Sequence, residues 1–140
     1  TWVCGLWACA LLGACAGPAP PALGSLDAWT LQQAGGLLII DVRPLRERAA
    51  GPSPAGAARL PLEAGPAAGT AFVQAVLDTV AADRTRPIGL ICERGVVSRR
   101  AQALLRAAGF TAAVDIDDGL SGSLAGPGWS AWGLPLDGDP

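Results

Sequence analysis

Cys92 closes an apolar run, Ile88-Gly89-Leu90-Ile91, and opens the loop Glu93-Arg94-Gly95-Val96-Val97 ahead of a helical pattern that begins at Ser98. Ala101, Leu104, Leu105 and Ala108 then fall on one face at i, i+3, i+4 and i+7. The pattern predicts a buried strand, a tight loop and a helix entered at a serine cap. A thiol at the mouth of such a loop meets backbone N–H groups and the positive end of a helix dipole. Both favour the thiolate, the form that attacks. The competing role is a cysteine packed as a small hydrophobe. A strand-end position beside Glu93, Arg94 and Gly95 favours the reactive role.

Composition narrows the chemistry further. The chain has 140 residues, enough for one domain with a core, and its net charge of −2 offers no basic surface for nucleic acid. Histidine is absent, which removes Ser-His-Asp and Cys-His catalysis and histidine metal sites. All ten cations are arginine, so neither a Walker lysine nor a Schiff base is available. Cys4, Cys9 and Cys15 lie within the first fifteen residues in no zinc or haem spacing, and Cys92 has no internal disulfide partner. No metal site and no cofactor is expected.

The elements that must position Cys92 read as an alternation. Ser25 caps a short helix from Leu26 to about Ala34, ended by Gly35-Gly36, with Asp27 in its first turn. Leu37 to Val42 is a continuous apolar run, the mark of a central parallel strand covered on both faces. Pro44 to Ala50 has room for one or two helical turns, Gly51 to Ala58 is a loop, and Arg59 to Leu62 is extended. Thr70 to Asp83 is the clearest helix, with Phe72, Val73, Val76, Leu77 and Val80 as its buried stripe. Strand Ile88–Ile91, a helix from Arg99 to about Ala108 ended by Gly109, and strand Ala113–Ile116 follow. Such alternation implies an α/β fold with parallel pairing, where sites form at the carboxyl ends of strands. Asp41 and Cys92 both stand at such ends. Asp115, Asp117 and Asp118 read as a solvated turn, and Trp129 and Trp132 as lid or core packing.

Residues 1–16 carry no charge and are too short for a comfortable spanning helix, which needs about 20 apolar residues. They read as the apolar region of a secretory leader whose true start lies upstream. Leu12-Gly13-Ala14-Cys15 resembles a lipobox, making Cys15 a lipidation candidate, while Ala14-Cys15-Ala16 also fits an ordinary small-x-small cleavage site. The lipobox is favoured. The organisation expected is leader 1–16, a poorly ordered Pro/Gly linker 17–24 and one domain over 25–140, in a bacterial periplasmic or envelope-anchored lipoprotein.

The domain resembles single-domain rhodanese-like sulfurtransferases from about Ser25 to Leu136. Asp41-Val42-Arg43 with Glu47 is similar to the family's D-V-R-x-x-x-E signature. Cys92 to Ser98 resembles its active loop C-x-x-G-x-R-S, and Trp132-Gly133-Leu134-Pro135 its closing W…G-L-P. The resemblance implies a three-layer fold with a central, mostly parallel sheet flanked by helices. It also implies that Cys92 attacks a sulfane sulfur of an anionic donor such as thiosulfate. The resulting persulfide would pass its sulfur to cyanide or a thiol. Glu93, Arg94, Gly95, Val96, Val97, Ser98 and Arg99 would border the substrate, and Asp41 and Arg43 would hold neighbouring loops in place.

Three departures bear on activity. Val97 stands where the family often has arginine, so anion binding falls to Arg94, Arg99, Arg100 or the backbone. Glu93 puts a carboxylate beside the thiol, which opposes the thiolate and repels an anionic donor. Gly51 to Ala57 replaces a histidine-bearing loop. Two alternatives follow. One is a catalytically weak or inactive rhodanese-like module for binding or redox sensing. The other is a phosphatase or arsenate reductase, which would need arginine six residues after the cysteine, where Ser98 stands.

Overall fold

The computed structural model describes residues 21–49 and 51–137. The expected leader, Cys15 and the first half of the expected linker lie outside the described residues. In chain order the elements are β1 (Ala22–Leu23), α1 (Ser25–Gln33), β2 (Leu38–Asp41), α2 (Leu45–Arg48), β3 (Ser53–Pro54) and β4 (Ala58–Arg59). Then come α3 (Ala68–Thr79), β5 (Ile88–Ile91), α4 (Val96–Ala107), β6 (Ala113–Ile116) and β7 (Leu136–Asp137).

Five strands form one sheet in the order β1-β6-β5-β2-β4, and every pairing is parallel. β3 and β7 form a separate antiparallel pair. The apolar run of β2 is continuous because both faces are covered. Ile40, with Ile88 and Leu90, packs under Phe72 and Val76 of α3 and Ala101 and Leu105 of α4. Ile39, with Ile91 and Ile116, packs against Ala28 of α1, Leu120 and Trp129. Alternate residues of one strand therefore serve opposite layers. Burying an isoleucine or leucine is worth about 1.5–3 kcal/mol, so β2, β5 and β6 hold the frame. The two-residue strands add main-chain hydrogen bonds at its margin.

Several boundaries differ from the sequence expectation. Ala22 and Leu23, expected in the linker, pair in parallel with Asp115 and Ile116 of β6, so the sheet begins before residue 25. The backbone carbonyl of Pro21 also accepts the Gln102 side-chain amide at 2.7 Å. α3 ends at Thr79 rather than Asp83, because Ala81 and Ala82 take left-handed φ values of 52° and 60° and turn the chain. Trp129 is fully buried and meets Trp29 edge-on at 5.7 Å, whereas Trp132 is half exposed and outside both core clusters. Among the described residues no helix is long and apolar enough to cross a membrane.

Candidate active site

β5 delivers Cys92 to the carboxyl edge of the sheet, and α4 leaves that edge after a loop of three residues. The expected serine cap is corrected here. The N-cap of α4 is Gly95, at φ 86°, and Ser98 is the third residue of the helix. Starting the helix at Val96 turns Ser98 inward, where it is fully buried. The backbone N–H groups of Gly95 and Ser98 donate to Cys92 Sγ at 3.1 and 3.3 Å, and Ser98 Oγ lies 3.3 Å from the same sulfur. Two main-chain donors thus converge on one sulfur at a helix N-terminus, an arrangement that accommodates negative charge, and the thiol in turn donates to Ser98 Oγ.

Cys92 itself is only 2% exposed and belongs to the core cluster with Val42, Leu90 and Ala101. The thiol expected at the mouth of the loop is therefore covered, packed as the competing role would have it, while still bordering a cleft. The loop folds over the sulfur, which floors a cleft of about 320 Å³ lined by Glu47, Glu93, Arg94, Val96 and Val97. Two carboxylates and one guanidinium therefore share the cleft with the sulfur.

Asp41 and Arg43 form the support behind this cleft. Asp41 is fully buried and Arg43 is 2% exposed. Arg43 donates from Nη2 to Asp41 Oδ2 at 2.8 Å and from Nε to both carboxylate oxygens at 3.1 Å. It also donates to the carbonyl of Pro52 at 2.9 Å and reaches Glu93 Oε2 at 3.5 Å. Ser53 Oγ donates to Asp41 Oδ2 at 2.6 Å. Burial works to lower the Arg43 pKa, but the hydrogen bonds and charge of Asp41, with Glu93 adding, raise it, so the guanidinium stays charged. One arginine thereby ties the end of β2 to the 51–54 loop and to the active loop.

The loop residues do not all face the sulfur. Gly95 and Ser98 form the cradle, and Glu93, Arg94, Val96 and Val97 line the cleft. Arg99 does not. One step of about 100° round the helix from Ser98 carries it to a separate cleft of about 670 Å³ with Arg94, Asp117 and Leu124. Arg100 points elsewhere again, donating to the Glu63 carbonyl at 3.3 and 3.4 Å.

The carboxylates expected in a solvated turn are also corrected. Asp115 and Asp118 are 3% and 2% exposed. Asp118 Oδ1 accepts the Ser25 N–H and hydroxyl at 2.9 and 2.6 Å, and its Oδ2 accepts the Gly128 N–H at 3.2 Å, stapling α1 to the C-terminal segment. That segment clasps the active loop. Leu120 N–H donates to the Cys92 carbonyl at 2.9 Å, Ser121 N–H to the Glu93 carbonyl at 3.0 Å, and Ser121 Oγ to Glu93 Oε1. Sequence reasoning missed Ser53 and Ser121, and nothing in their flanking residues marks them. Asp115 had a signal: it is two residues from Ala113 on the same strand, hence on the same buried face.

A parallel α/β sheet whose strand-end cysteine lies in a cradle of main-chain N–H groups defines a cysteine-loop protein of the three-layer class. Residues 26–125 match the rhodanese-like domain family, and the chain belongs to that family. A protein from M. tuberculosis superposes with a TM-score of 0.66 at 23% identity, covering 84% of this chain and 96% of that one. The rhodanese-like domain of an Anabaena sp. protein gives 0.64 at 22% identity over 85% of this chain and 80% of that one. The polysulfide-sulfur transferase homodimer from Wolinella succinogenes gives 0.62 at 23% identity over 84% and 78%. At these identities the likeness is one of fold. No curated protein matches the chain significantly in sequence.

Proposed function

We propose that the protein is a rhodanese-type sulfurtransferase with Cys92 as its nucleophile. The observation that carries this reading is the cradle: two main-chain N–H groups at 3.1 and 3.3 Å on a sulfur that floors an open cleft. The Cys92 thiolate attacks the outer sulfur of an anionic donor such as thiosulfate, sulfite leaves, and an S–S bond forms on the enzyme. A thiophilic acceptor, cyanide or a thiol, then attacks that outer sulfur and the thiolate returns. The N–H groups hold the negative sulfur in both half-reactions. Arg94, on the cleft wall, supplies the anion contact expected of the loop. Arg99 is left out of that role by its direction. Thiocyanate release from thiosulfate and cyanide tests the reading: wild type turns over and Cys92→Ser does not.

Glu47 and Glu93 in the Cys92 cleft favour a second reading, a rhodanese-like module with weak or no catalysis that binds or senses oxidants. Absence of thiocyanate release in folded wild type would select it. The compartment we propose is the bacterial cell envelope, with Cys15 as a lipid anchor. Mass spectrometry of the mature N-terminus distinguishes a lipidated Cys15 from an ordinary cleavage end.

A further inference from the structure

The cleft floored by the Cys92 sulfur carries more negative than positive charge. Glu47 and Glu93 stand on it against one guanidinium, that of Arg94. The two carboxylates also line an adjoining cleft of about 240 Å³, walled by Arg43, Pro52 and Ser121. Arg94 extends the other way, into the cleft of about 670 Å³ where Arg99 and Asp117 stand. The sulfur cleft is therefore acidic on the side that it shares with the 240 Å³ cleft.

Neighbouring cations do not cancel that charge. Ser121 Oγ donates to Glu93 Oε1, and Arg43 Nη1 reaches Glu93 Oε2 at 3.5 Å. Arg43 answers Glu93 only in part, because its closer partner, at 2.8 Å, is the buried Asp41. Glu47, half-buried on α2, takes part in no ion pair among the described residues. Arg46 and Arg48, one helix step to either side of it, line neither cleft. Arg99 and Arg100 are directed away from the sulfur. Charges of one sign in a cleft with low-dielectric walls concentrate ligands of the other sign. The site itself stands on the sulfur and its N–H cradle, and the carboxylates decide which charge it admits.

We propose that Glu47 and Glu93 select a positively charged sulfur acceptor, a small amino thiol, for the Cys92 persulfide. The inference rests on the sulfur-transfer reading, whose acceptor it names by class. The ammonium of the acceptor lies against the two carboxylates while its thiolate attacks the outer sulfur of the persulfide. A new S–S bond forms on the acceptor, the bond between Cys92 Sγ and the outer sulfur breaks, and Cys92 leaves as the thiolate that its two N–H groups hold. The proton of the acceptor thiol goes to water, and the sulfane sulfur changes carrier with no net oxidation. The ammonium acts twice. It lowers the pKa of its own thiol, and it offsets the repulsion between the attacking thiolate and an anionic persulfide. An anionic thiol lacks both advantages and meets two like charges. The carboxylates that oppose an anionic donor in the first half-reaction thus favour a cationic acceptor in the second.

Charge preference is read first on the thiol, where no sulfur transfer is needed. Cys92 in the full chain is modified with 2-aminoethyl methanethiosulfonate, a cation, and with 2-sulfonatoethyl methanethiosulfonate, an anion. Each rate is followed by mass spectrometry of the Cys92 peptide and divided by the rate of the same reagent with free 2-mercaptoethanol. Wild type is expected to favour the cation, and Arg94→Gln to favour it more. Glu47→Gln and Glu93→Gln should each shrink the cation-to-anion ratio by about fivefold. Persulfide-loaded protein is then discharged with cysteamine and with 3-mercaptopropionate, and cysteamine should lead by a margin that narrows in the same two variants. A wild-type ratio at or below one, a ratio unchanged in both glutamate variants, or faster discharge by 3-mercaptopropionate overturns the proposal. Should a variant fail to fold by circular dichroism, added salt replaces it, because screening must shrink the wild-type ratio; a ratio indifferent to salt overturns the proposal. A Cys92 that thiosulfate never loads would sink the sulfur-transfer reading, while the methanethiosulfonate ratio still decides which charge the cleft admits.

Discussion

The Gly95 main-chain N–H points at Cys92 Sγ from 3.1 Å, and it can do so because Gly95 sits at φ 86° close under the Asp117 carbonyl. A Cβ at Gly95 would lie 2.7 Å from that carbonyl oxygen. Gly95→Ala is therefore expected to lose about 1–2 kcal/mol from its left-handed φ alone. The backbone clash adds to this and swings the N–H off the sulfur. Urea denaturation and the persulfide yield at Cys92 measure the two effects. A variant matching wild type in both contradicts the argument.

Arg43 pairs with Asp41, a carboxylate that is fully buried. Removing one partner of such a pair strands the other, at about 3–5 kcal/mol. Arg43→Ala should lower the urea midpoint accordingly and loosen both the 51–54 loop and the active loop. A midpoint within experimental error of wild type would show that the Ser53 hydroxyl and the main-chain N–H of residue 43 satisfy Asp41 without the guanidinium.

Glu93 stands on the cleft wall with its side chain 41% exposed, so solvent screens it in part. Glu93→Gln removes one repulsion against an anionic donor. About 1 kcal/mol of relief corresponds to roughly fivefold in kcat/KM for thiosulfate. Steady-state kinetics read the change, which should fall mainly on KM. An unchanged or weakened kcat/KM would mean that the carboxylate serves the donor rather than opposing it.

Burial holds the Asp115 carboxyl above its ordinary range in the folded chain. The folded state then keeps that proton more tightly than the unfolded one. Its contribution to stability is complete below the ordinary carboxylate pKa and is lost as pH rises through the raised value. Asp115→Asn does not titrate, so its stability relative to wild type should improve as pH rises through that window. Urea midpoints of the two proteins measured across that window test the sign; parallel curves contradict it.

The central frame was legible in the sequence because its signals are long and physical. Ile88–Ile91 and Ala113–Ile116 are strands over the expected residues, and the strand run Leu37–Val42 was long only by its flanks. Two-residue strands such as β1 and β7 carry no periodicity and depend on partners far along the chain. Ser98 looked like a cap because serine favours that position. The structure instead uses the left-handed freedom of Gly95 to start the helix and spends Ser98 on the thiol. Asp115 was misplaced for a related reason. Three nearby carboxylates suggest water; strand alternation with Ala113 pointed Asp115 inward, whereas only the tertiary arrangement shows that Asp118 is inside. Arg99 shows the same limit in one helix step: adjacency in sequence to Ser98 did not place it at the sulfur.

Mass spectrometry of the Cys92 peptide after incubation with thiosulfate tests the main conclusion most directly. The account predicts that wild type gains one sulfur atom at Cys92, that cyanide removes it, and that Cys92→Ser gains none. A folded wild-type chain whose Cys92 mass is unchanged by thiosulfate would contradict it.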